Sequence, residues 1–446
     1  MNKKLTLLAL TWPIFLEQLL HTIVLNIDIF MLSHYSDNAV AAVGVAGQIL
    51  MVANILFGFV NVGLSILISQ LIGAGKEREA SNIASIALGL NMLIGVVVSL
   101  GLVVLAEPLL RLMNLPPELM GYGQSFLTIV GMGTFSVAII STADTVLRMY
   151  GYVRQMLVLS VTVVVLNIIG NYLALFGPLG LPVLGVEGVA MATNISRFAG
   201  IGIAVYMLLK VVRVSLKSKA LFSFPKNVVN QMLTIGVPSA GENMSYQASQ
   251  VVITYMVTLL GTTALTTKIY TQSITTFVFL FSIAIGQATS IMVGRLIGAE
   301  RSGEAYGVAF RNLRTGLLIT FGTGCLLAVF SDPLLGLFTD NEEVIALGGL
   351  LMLLSLVLEA ARACNVIVIG SLNAAGDVKF PVVVGLISMW AISLPLAYVF
   401  AIVLDMGITG IWLAFIADEW LRGLLMIFRW RSRKWQSIRL SLVRDG

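Results

Sequence analysis

Four polar residues, Asp28, Asn167, Asn171 and Thr193, interrupt apolar stretches of the chain and could together bind a cation or a proton. Asp28 lies in the segment LNIDIFML, where its neighbours at i−4 and i+3 are apolar and offer no counter-ion. Such a carboxylate can take up and release a proton, or share a cation with amide oxygens. Asn167 and Asn171, at i and i+4, share one helix face, and Thr193 could add a hydroxyl. The alternative is that the two amides only join helices through hydrogen bonds.

A second group of charged residues also lies in apolar surroundings. Glu17 and Glu242 each follow a proline by four residues. They lie near enough to the interface to be hydrated, or satisfy backbone amides near a helix start. The alternative is an acidic pair that faces a central cleft and suits cationic cargo. Glu359 and Arg362, at i and i+3, can neutralise each other within one helix. Asp144 with Arg148, and Glu419 with Arg422, are predicted to form salt bridges near span ends. A charge at membrane depth costs at least about 2.5 kcal/mol, so each of these residues needs a partner, a cavity or an interface.

The elements that position these residues are membrane-spanning helices. The chain has 446 residues, of which 58% are hydrophobic and 11% charged, whereas a soluble domain has about 25% charged residues. Long apolar runs, rather than short alternating ones, exclude an outer-membrane barrel. Twelve windows are long enough to cross a bilayer. They lie near 10–33, 46–71, 83–106, 123–147, 156–177, 187–211, 232–260, 266–293, 309–331, 344–370, 380–403 and 409–429.

A shift of 225 residues relates the two halves of the chain. Residues 68–80 read ISQLIGAGKEREA, and residues 293–305 read VGRLIGAERSGEA. The same shift places Ile253 at the position of Asp28, so the repeat is broken at that carboxylate. The sequence therefore predicts an all-α polytopic membrane protein with twelve transmembrane helices in two parallel-repeat six-helix lobes, which leave a cleft between them.

Lysines and arginines orient the chain. Most of the 27 basic residues lie in segments that are cytoplasmic if the N-terminus is cytoplasmic, which places both termini on that side of the cytoplasmic (inner) membrane. The predicted boundaries are 1–215 for the N-terminal lobe, 216–231 for a cytoplasmic linker, 232–430 for the C-terminal lobe and 431–446 for a basic tail. Trp430 and Trp435, among the cations of the last segments, predict anchoring at the lipid interface.

Several function classes are excluded by what the sequence lacks. There is no GxxxxGK[ST] phosphate loop and no HExxH motif, so neither a nucleotide motor nor a zinc protease is predicted. The positive charges flank apolar runs instead of forming a nucleic-acid surface. We expect a transporter without enzymatic activity, resident metal or cofactor, acting as a monomer in the bilayer on a small-molecule substrate.

Four segments of the chain resemble the multidrug and toxic compound extrusion (MATE) family. They are NIDIFMLSHYSDNAVAAVGVAGQI, LNIIGNYLALFG at 166–177, LGVEGVAMAT at 184–193 and SLNAAGDVKFP at 371–381. The resemblance covers essentially the whole chain. It implies an exporter of organic cations and other amphipathic compounds, driven by the influx of sodium ions or protons.

The resemblance also assigns roles to individual residues. Asp28 matches the family's ion-linked aspartate of the first span, and Asn167, Asn171 and Thr193 match polar positions near it. In the C-terminal lobe the chain departs from the NorM branch, which has a glutamate where this chain has Tyr246 and an aspartate where it has Arg362. Coupling is therefore expected at Asp28, through H+ or through Na+ held by Asp28, Asn167 and Asn171.

The predicted function is ion-coupled antiport by alternating access. Met31 and Met256 occupy matched positions and offer flexible side chains that suit varied apolar ligands. The complete set of candidates for the substrate cleft is Glu17, Glu242, Tyr246, Glu359, Arg362, Met31 and Met256. An alternative is a flippase for a lipid-linked saccharide precursor, which cleft-facing cations at Arg197, Lys268 and Arg362 would favour. A channel or a membrane scaffold is a third possibility.

Overall fold

The computed structural model describes residues 6–180, 182–216 and 218–438, and this part of the chain folds into helices without β-strands. The helices are α1 (Leu7–Ser33), α2 (Asp37–Gly73), α3 (Glu77–Val104), α4 (Ala106–Leu112), α5 (Met120–Met132), α6 (Thr134–Met149), α7 (Val153–Phe176), α8 (Gly185–Tyr206), α9 (Ser218–Leu221), α10 (Lys226–Leu259), α11 (Thr262–Gly298), α12 (Ser302–Val329), α13 (Ser331–Gly336), α14 (Glu342–Ala374), α15 (Lys379–Ile387), α16 (Leu394–Tyr398) and α17 (Gly407–Arg431). Turns of π-helix extend α8 and link α15 to α16.

Twelve helical segments correspond to the twelve predicted spans. Among the described residues, nine segments are long and apolar enough to cross a membrane, and α5 with α6 forms a tenth that is bent by 48°. The other two are α10 and α17, which have 34 and 25 residues. Helix α17 contains the buried charged residues Asp418, Glu419 and Arg422. The predicted all-helical membrane fold with a twelve-helix layout is confirmed.

The predicted duplication is visible in the backbone. Gly151 and Gly376, which the 225-residue shift relates, both have positive φ, at 83° and 90°, directly after α6 and α14. Gly75 has a φ of 74°, and its counterpart Glu300 has a φ of 59° although it carries a side chain. A non-glycine residue pays a steric cost in this conformation. Both halves therefore use the same turns, and the second half keeps one of them without the glycine.

The described chain forms two compact units. One comprises Leu16–Val237, and the other comprises the described residues within Met1–Phe15 and Pro238–Gly446. In the first unit, Leu102, Leu127 and Ala190 belong to a buried apolar cluster. The lobe, linker and tail boundaries given above remain predictions. Residues 1–5 and 181 of the predicted N-terminal lobe, residue 217 of the predicted linker and residues 439–446 of the predicted tail lie outside the described residues.

The tryptophans near the C-terminus correct one expectation. Trp430 is 0% exposed and Trp435 is 1% exposed, so neither can anchor the chain in lipid. Their rings stack with centroids 4.1 Å apart, and Trp435 Nε1 donates to the backbone oxygen of Trp430. The nearby Arg431 and Arg433 lie over the rings of Phe310 and Tyr306. The aromatic rings therefore pack into the core of their own unit, which charge spacing along the sequence does not indicate.

Candidate ion-coupling site

Helices α1, α7 and α8 bring the four predicted coupling residues into one hydrogen-bonded cluster. Asn171 Nδ2 donates to Asp28 Oδ1 at 2.9 Å and also faces Asn167 Oδ1 at 3.4 Å. Asn167 Nδ2 donates to Thr193 Oγ1 at 3.2 Å. Asn167 and Asn171 are buried, and Asp28 is half-buried. The α7 face that carries Asn167 and Asn171 therefore meets Asp28 on α1 and Thr193 on α8. The role of these residues in ion coupling stays a prediction.

Small residues allow α7 and α8 to approach closely beside this cluster. Gly170 precedes Asn171, and a Cβ atom built on it would lie 2.7 Å from Cβ of Ala192. Ala192 is in turn adjacent to Thr193, whose hydroxyl donates to the Val189 carbonyl at 2.9 Å. The i−4 hydrogen bond fixes the Thr193 rotamer and leaves its oxygen available to Asn167. The close approach at Gly170 thus lets polar groups on two helices reach each other.

Two further features of the cluster bear on what it can bind. Arg197 on α8 interacts electrostatically with Asp28, which gives the carboxylate the counter-ion that its own helix lacks. Asn171 Oδ1 is buried and accepts no hydrogen bond from any described residue. A buried amide oxygen without a donor is a place for a cation or a water molecule. The charge of Asp28 can therefore be neutralised either by protonation or by a bound cation.

Glu17 belongs to a different cluster, nearer the start of α1. It is 3% exposed, and its Oε2 lies 3.3 Å from Arg148 Nη2. The same Arg148 nitrogen lies 2.5 Å from Asp144 Oδ2. The i, i+4 spacing of Asp144 and Arg148 on α6 predicted their bridge, but it did not indicate that Glu17 joins it. The role of Glu17 in a substrate cleft stays a prediction.

The second unit holds a larger buried network. Arg362 Nη1 lies 2.7 Å from Glu359 Oε1, as the i, i+3 spacing predicted. Arg422 Nη2 lies 3.0 Å from Asp418 Oδ2 and 2.8 Å from Glu419 Oε1, and Arg362 Nε lies 3.8 Å from the same Glu419 oxygen. Glu359, Asp418, Glu419 and Arg422 are all less than 10% exposed. The network therefore joins α14 and α17 through alternating charges.

Polar neighbours complete this network. Asn365 Nδ2 donates to Glu419 Oε2 at 2.8 Å, and the Ser388 hydroxyl donates to Asp418 Oδ1. Glu359 Oε2 and Asn365 Oδ1 are buried and have no hydrogen-bond partner among the described residues. The sequence indicated the Glu359–Arg362 and Glu419–Arg422 pairs, but their union depends on the packing of α14 against α17. Glu419 lies midway along α17. The prediction that the Glu419–Arg422 bridge lies near a span end was therefore wrong.

Glu242 and Tyr246 flank the network from α10. Both interact electrostatically with Arg422, and Tyr246 also with Arg362. A Cβ atom on Gly385 would lie 2.5 Å from Glu242 Oε1, so the carboxylate packs directly against a glycine. Four carboxyl groups thus share this region with two guanidinium groups.

The remaining candidates have apolar or isolated surroundings. Met31 and Met256 are partly buried and pack against the apolar clusters of their units, which is also the ordinary role of such side chains. Lys268 is 4% exposed, and its Nζ donates to Thr254 Oγ1 at 2.6 Å. Lys268 has no carboxylate within 4.0 Å in the part of the chain that the structure describes.

Comparisons with known proteins agree with this architecture. A family model described as MatE matches residues 13–173 and 238–399, two regions that begin 225 residues apart. The chain is 44% identical to the "Uncharacterized transporter YisQ" of Bacillus subtilis (strain 168), over 97% of this chain and 95% of that protein. It is 27% identical to the "Probable multidrug resistance protein NorM" of Thermotoga maritima, over 98% of this chain and 94% of that protein.

Solved structures share the fold at low sequence identity. The "Crystal structure of MATE in the straight conformation" superposes with a TM-score of 0.87 at 18% identity, covering 99% of this chain and 96% of that one. A Pyrococcus furiosus protein, described under the words "Reverse polarity of binding pocket suggests different function of a MOP superfamily transporter", superposes with a TM-score of 0.85 at 19% identity. That match covers 96% of this chain and 95% of the other.

Proposed function

This chain belongs to the MatE family of membrane transporters, and we propose that it exports organic cations and amphipathic drugs in exchange for an inward-moving cation. Transport proceeds by alternating access, and the coupling cation is H+ or Na+. The proposal accords with relatives named as probable multidrug resistance proteins.

The observation that carries the proposal is the cluster around Asp28. A half-buried carboxylate receives one hydrogen bond from a neutral amide, Asn171, and lies near one guanidinium, Arg197. When a proton or a cation neutralises Asp28, the attraction to Arg197 is lost and the hydrogen bond to Asn171 weakens. Ion binding thus changes the contacts among α1, α7 and α8. A ligand that binds one arrangement of these helices more tightly than the other shifts the equilibrium between them.

The test is the substitution Asp28→Asn in purified protein reconstituted into vesicles. We expect gradient-driven ethidium transport to fall by at least about tenfold, because the amide can neither titrate nor balance a cation. Asp340→Asn, which changes an exposed residue in the other unit, is the matched control and should transport at the wild-type rate. Undiminished gradient-driven transport by Asp28→Asn at equal protein content would refute the coupling role.

The flippase alternative rests on membrane cations able to bind a pyrophosphate. The structure gives Arg362 a close carboxylate partner and Arg197 an electrostatic one, which reduces their capacity for an anionic ligand. Lys268, whose hydrogen-bond partner is the Thr254 hydroxyl, is the observation that favours this alternative. Absence of gradient-driven ethidium transport by wild-type protein, together with saturable binding of a lipid pyrophosphate that Lys268→Met abolishes, would support it over drug export.

The membrane location and orientation are part of the proposal. We infer a monomer in the cytoplasmic membrane with both termini cytoplasmic, because the predicted loops on that side hold most of the lysines and arginines. Cysteines introduced at exposed Glu118 and exposed Arg301 test the orientation, since an impermeant thiol reagent added to intact cells should label only the first. Labelling of the Arg301 position alone would show the opposite orientation.

A further inference from the structure

Helix α1 carries three titratable side chains on one face. Glu17, His21 and Asp28 are spaced by four and seven residues, so 11 residues, or about three turns and 16 Å, separate the first from the last. The structure places polar partners at both ends of this stripe. Asn171 Nδ2 donates to Asp28 Oδ1, and Arg148 Nη2 donates to Glu17 Oε2.

The Glu17 end of this helix face lies beside a second carboxyl group and one guanidinium. Arg148 Nη2 lies 3.3 Å from Glu17 Oε2 and 2.5 Å from Asp144 Oδ2. The two carboxyl groups thus share one guanidinium, so a buried cluster with both of them ionised would have an uncompensated negative charge, which a proton on the pair removes. Asp144 Oδ1 is buried without a hydrogen-bond partner among the described residues. The cluster therefore contains one exchangeable proton when Arg148 is balanced by a single carboxylate.

His21 is placed to exchange that proton. Its side chain is exposed, and the charged groups that act on it are Asp144 and Arg148 on α6, with Glu17 one turn away on its own helix. If the proton leaves the Glu17–Asp144 pair, two carboxylates face one guanidinium and the cluster has an excess negative charge. A protonated imidazole at His21 compensates that charge. The same proton can thus reside on the carboxyl pair or on His21 while the cluster stays neutral.

We propose that Glu17, Asp144, Arg148 and His21 form a second proton-binding site, through which Asp28 exchanges its proton with water at the N-terminal end of α1. This inference rests on the proposed function and narrows its coupling ion to the proton.

Each transfer moves one proton and no other group. The proton leaves the Asp28 carboxylic acid, and a neutral ring nitrogen of His21 accepts it. His21 lies about 10 Å along the helix from Asp28, so water molecules bridge this distance in the conformation that admits them. The imidazolium then releases the proton to bulk water or to the Glu17–Asp144 pair. Asp28 is left ionised beside Arg197 and Asn171, ready for the next cycle.

The test uses wild-type protein and His21→Ala in vesicles, with His34→Ala as the matched control because His34 is the other histidine of the chain. Two rates are measured for ethidium, namely uptake driven by an imposed pH gradient and exchange of labelled for unlabelled ethidium without a gradient. We expect His21→Ala to lower the pH-driven rate by about tenfold or more. Exchange, which involves no net proton transfer, should stay within about twofold of wild type, and His34→Ala should match wild type in both assays.

Chemical rescue separates proton transfer from a structural effect. Added imidazole should restore much of the pH-driven rate of His21→Ala and should not change the exchange rate, because a diffusible base replaces only the missing proton acceptor. Equal loss of both rates, absence of rescue, or an unchanged pH-driven rate would each overturn the inference. Since His21 is exposed, its substitution should not prevent folding.

The imposed ion gradient distinguishes failure of this inference from failure of the proposed function. If a sodium gradient drives ethidium transport by wild-type protein and a pH gradient does not, the second proton site is refuted while ion-coupled export stands. If neither gradient drives transport, ion-coupled export itself is refuted. A pH gradient that drives transport by wild type, with the expected loss and rescue in His21→Ala, supports both.

Discussion

Removal of Arg422 should destabilise the second unit strongly, because it leaves two buried carboxylates without their shared cation. Arg422 Nη2 lies 3.0 Å from Asp418 Oδ2 and 2.8 Å from Glu419 Oε1, and both side-chain partners are at most 10% exposed. Removal of one member of a buried ion pair costs about 3–5 kcal/mol, most of it from the uncompensated charge. The substitution Arg422→Met keeps a long apolar stem and removes only the guanidinium, so this range applies to the free energy of unfolding.

The assay is thermal unfolding of purified protein in detergent, with Arg111→Met as the control. Arg111 forms the same kind of i, i+4 pair with Glu107, at 2.6 Å, but their side chains are 71% and 43% exposed. An exposed pair contributes about 0–1 kcal/mol. We therefore expect the unfolding temperature to fall on the order of 10 °C for Arg422→Met, and to change by at most a few degrees for Arg111→Met.

A second substitution tests the cause of this loss. Glu419→Gln in the Arg422→Met background removes one of the two carboxylates that have lost their partner, so it should raise the unfolding temperature of Arg422→Met. The same Glu419→Gln change in the wild-type background should lower it, because it breaks the bridge to Arg422. If Glu419→Gln lowers stability in both backgrounds, or if the two arginine variants lose equal stability, uncompensated charge is not what holds this region together.

Two packing predictions follow from close contacts and full burial. Gly236→Ala should lower the free energy of unfolding by about 1–3 kcal/mol, because its Cβ would lie 1.6 Å from the Phe59 carbonyl oxygen. Gly58→Ala, which has no atom within 4 Å of its Cβ position, should be tolerated. Equal unfolding temperatures of the two variants would contradict the close helix contact. Trp435→Ala should lower the free energy of unfolding by about 3–5 kcal/mol, because the Trp435 ring is 1% exposed. Phe428→Ala, at a side chain that is 70% exposed, should lower it much less in the same assay. A small effect of Trp435→Ala would show that the ring does not stabilise the core.

The spans and the Asp28 cluster were accessible from sequence for simple physical reasons. Apolar windows of about 20 residues identify spans because the bilayer thickness sets their length. Asn167 and Asn171 could be assigned to one face because helical periodicity is fixed at 3.6 residues per turn. A lone carboxylate in an apolar helix stands out because its burial without a partner is costly. Each of these signals is contained within a single helix.

Contacts between helices were not accessible in the same way. The sequence showed Glu359 with Arg362 and Glu419 with Arg422 as separate pairs, since their spacings are local. The structure joins them, because α14 and α17 bring Arg362 Nε within 3.8 Å of Glu419 Oε1. Periodicity determines which face of a helix is polar, but not which other helix that face meets.

The two units differ in how their buried carboxylates are compensated, and this difference favours Asp28 as the residue that responds to the ion gradient. Protonation of Asp28 weakens one hydrogen bond from a neutral amide and one longer-range attraction to Arg197. Glu419, by contrast, makes a direct contact with the Arg422 guanidinium at 2.8 Å. The Asn171 bond to Asp28 is also charge-assisted, since its acceptor is ionised, but Glu419 has a guanidinium in direct contact in addition to its own amide donor, Asn365. At the repeat position of Asp28, the second unit has Ile253, which is 1% exposed within an apolar cluster. The duplication thus supplied two similar scaffolds, and only the first has a weakly compensated carboxylate at this position.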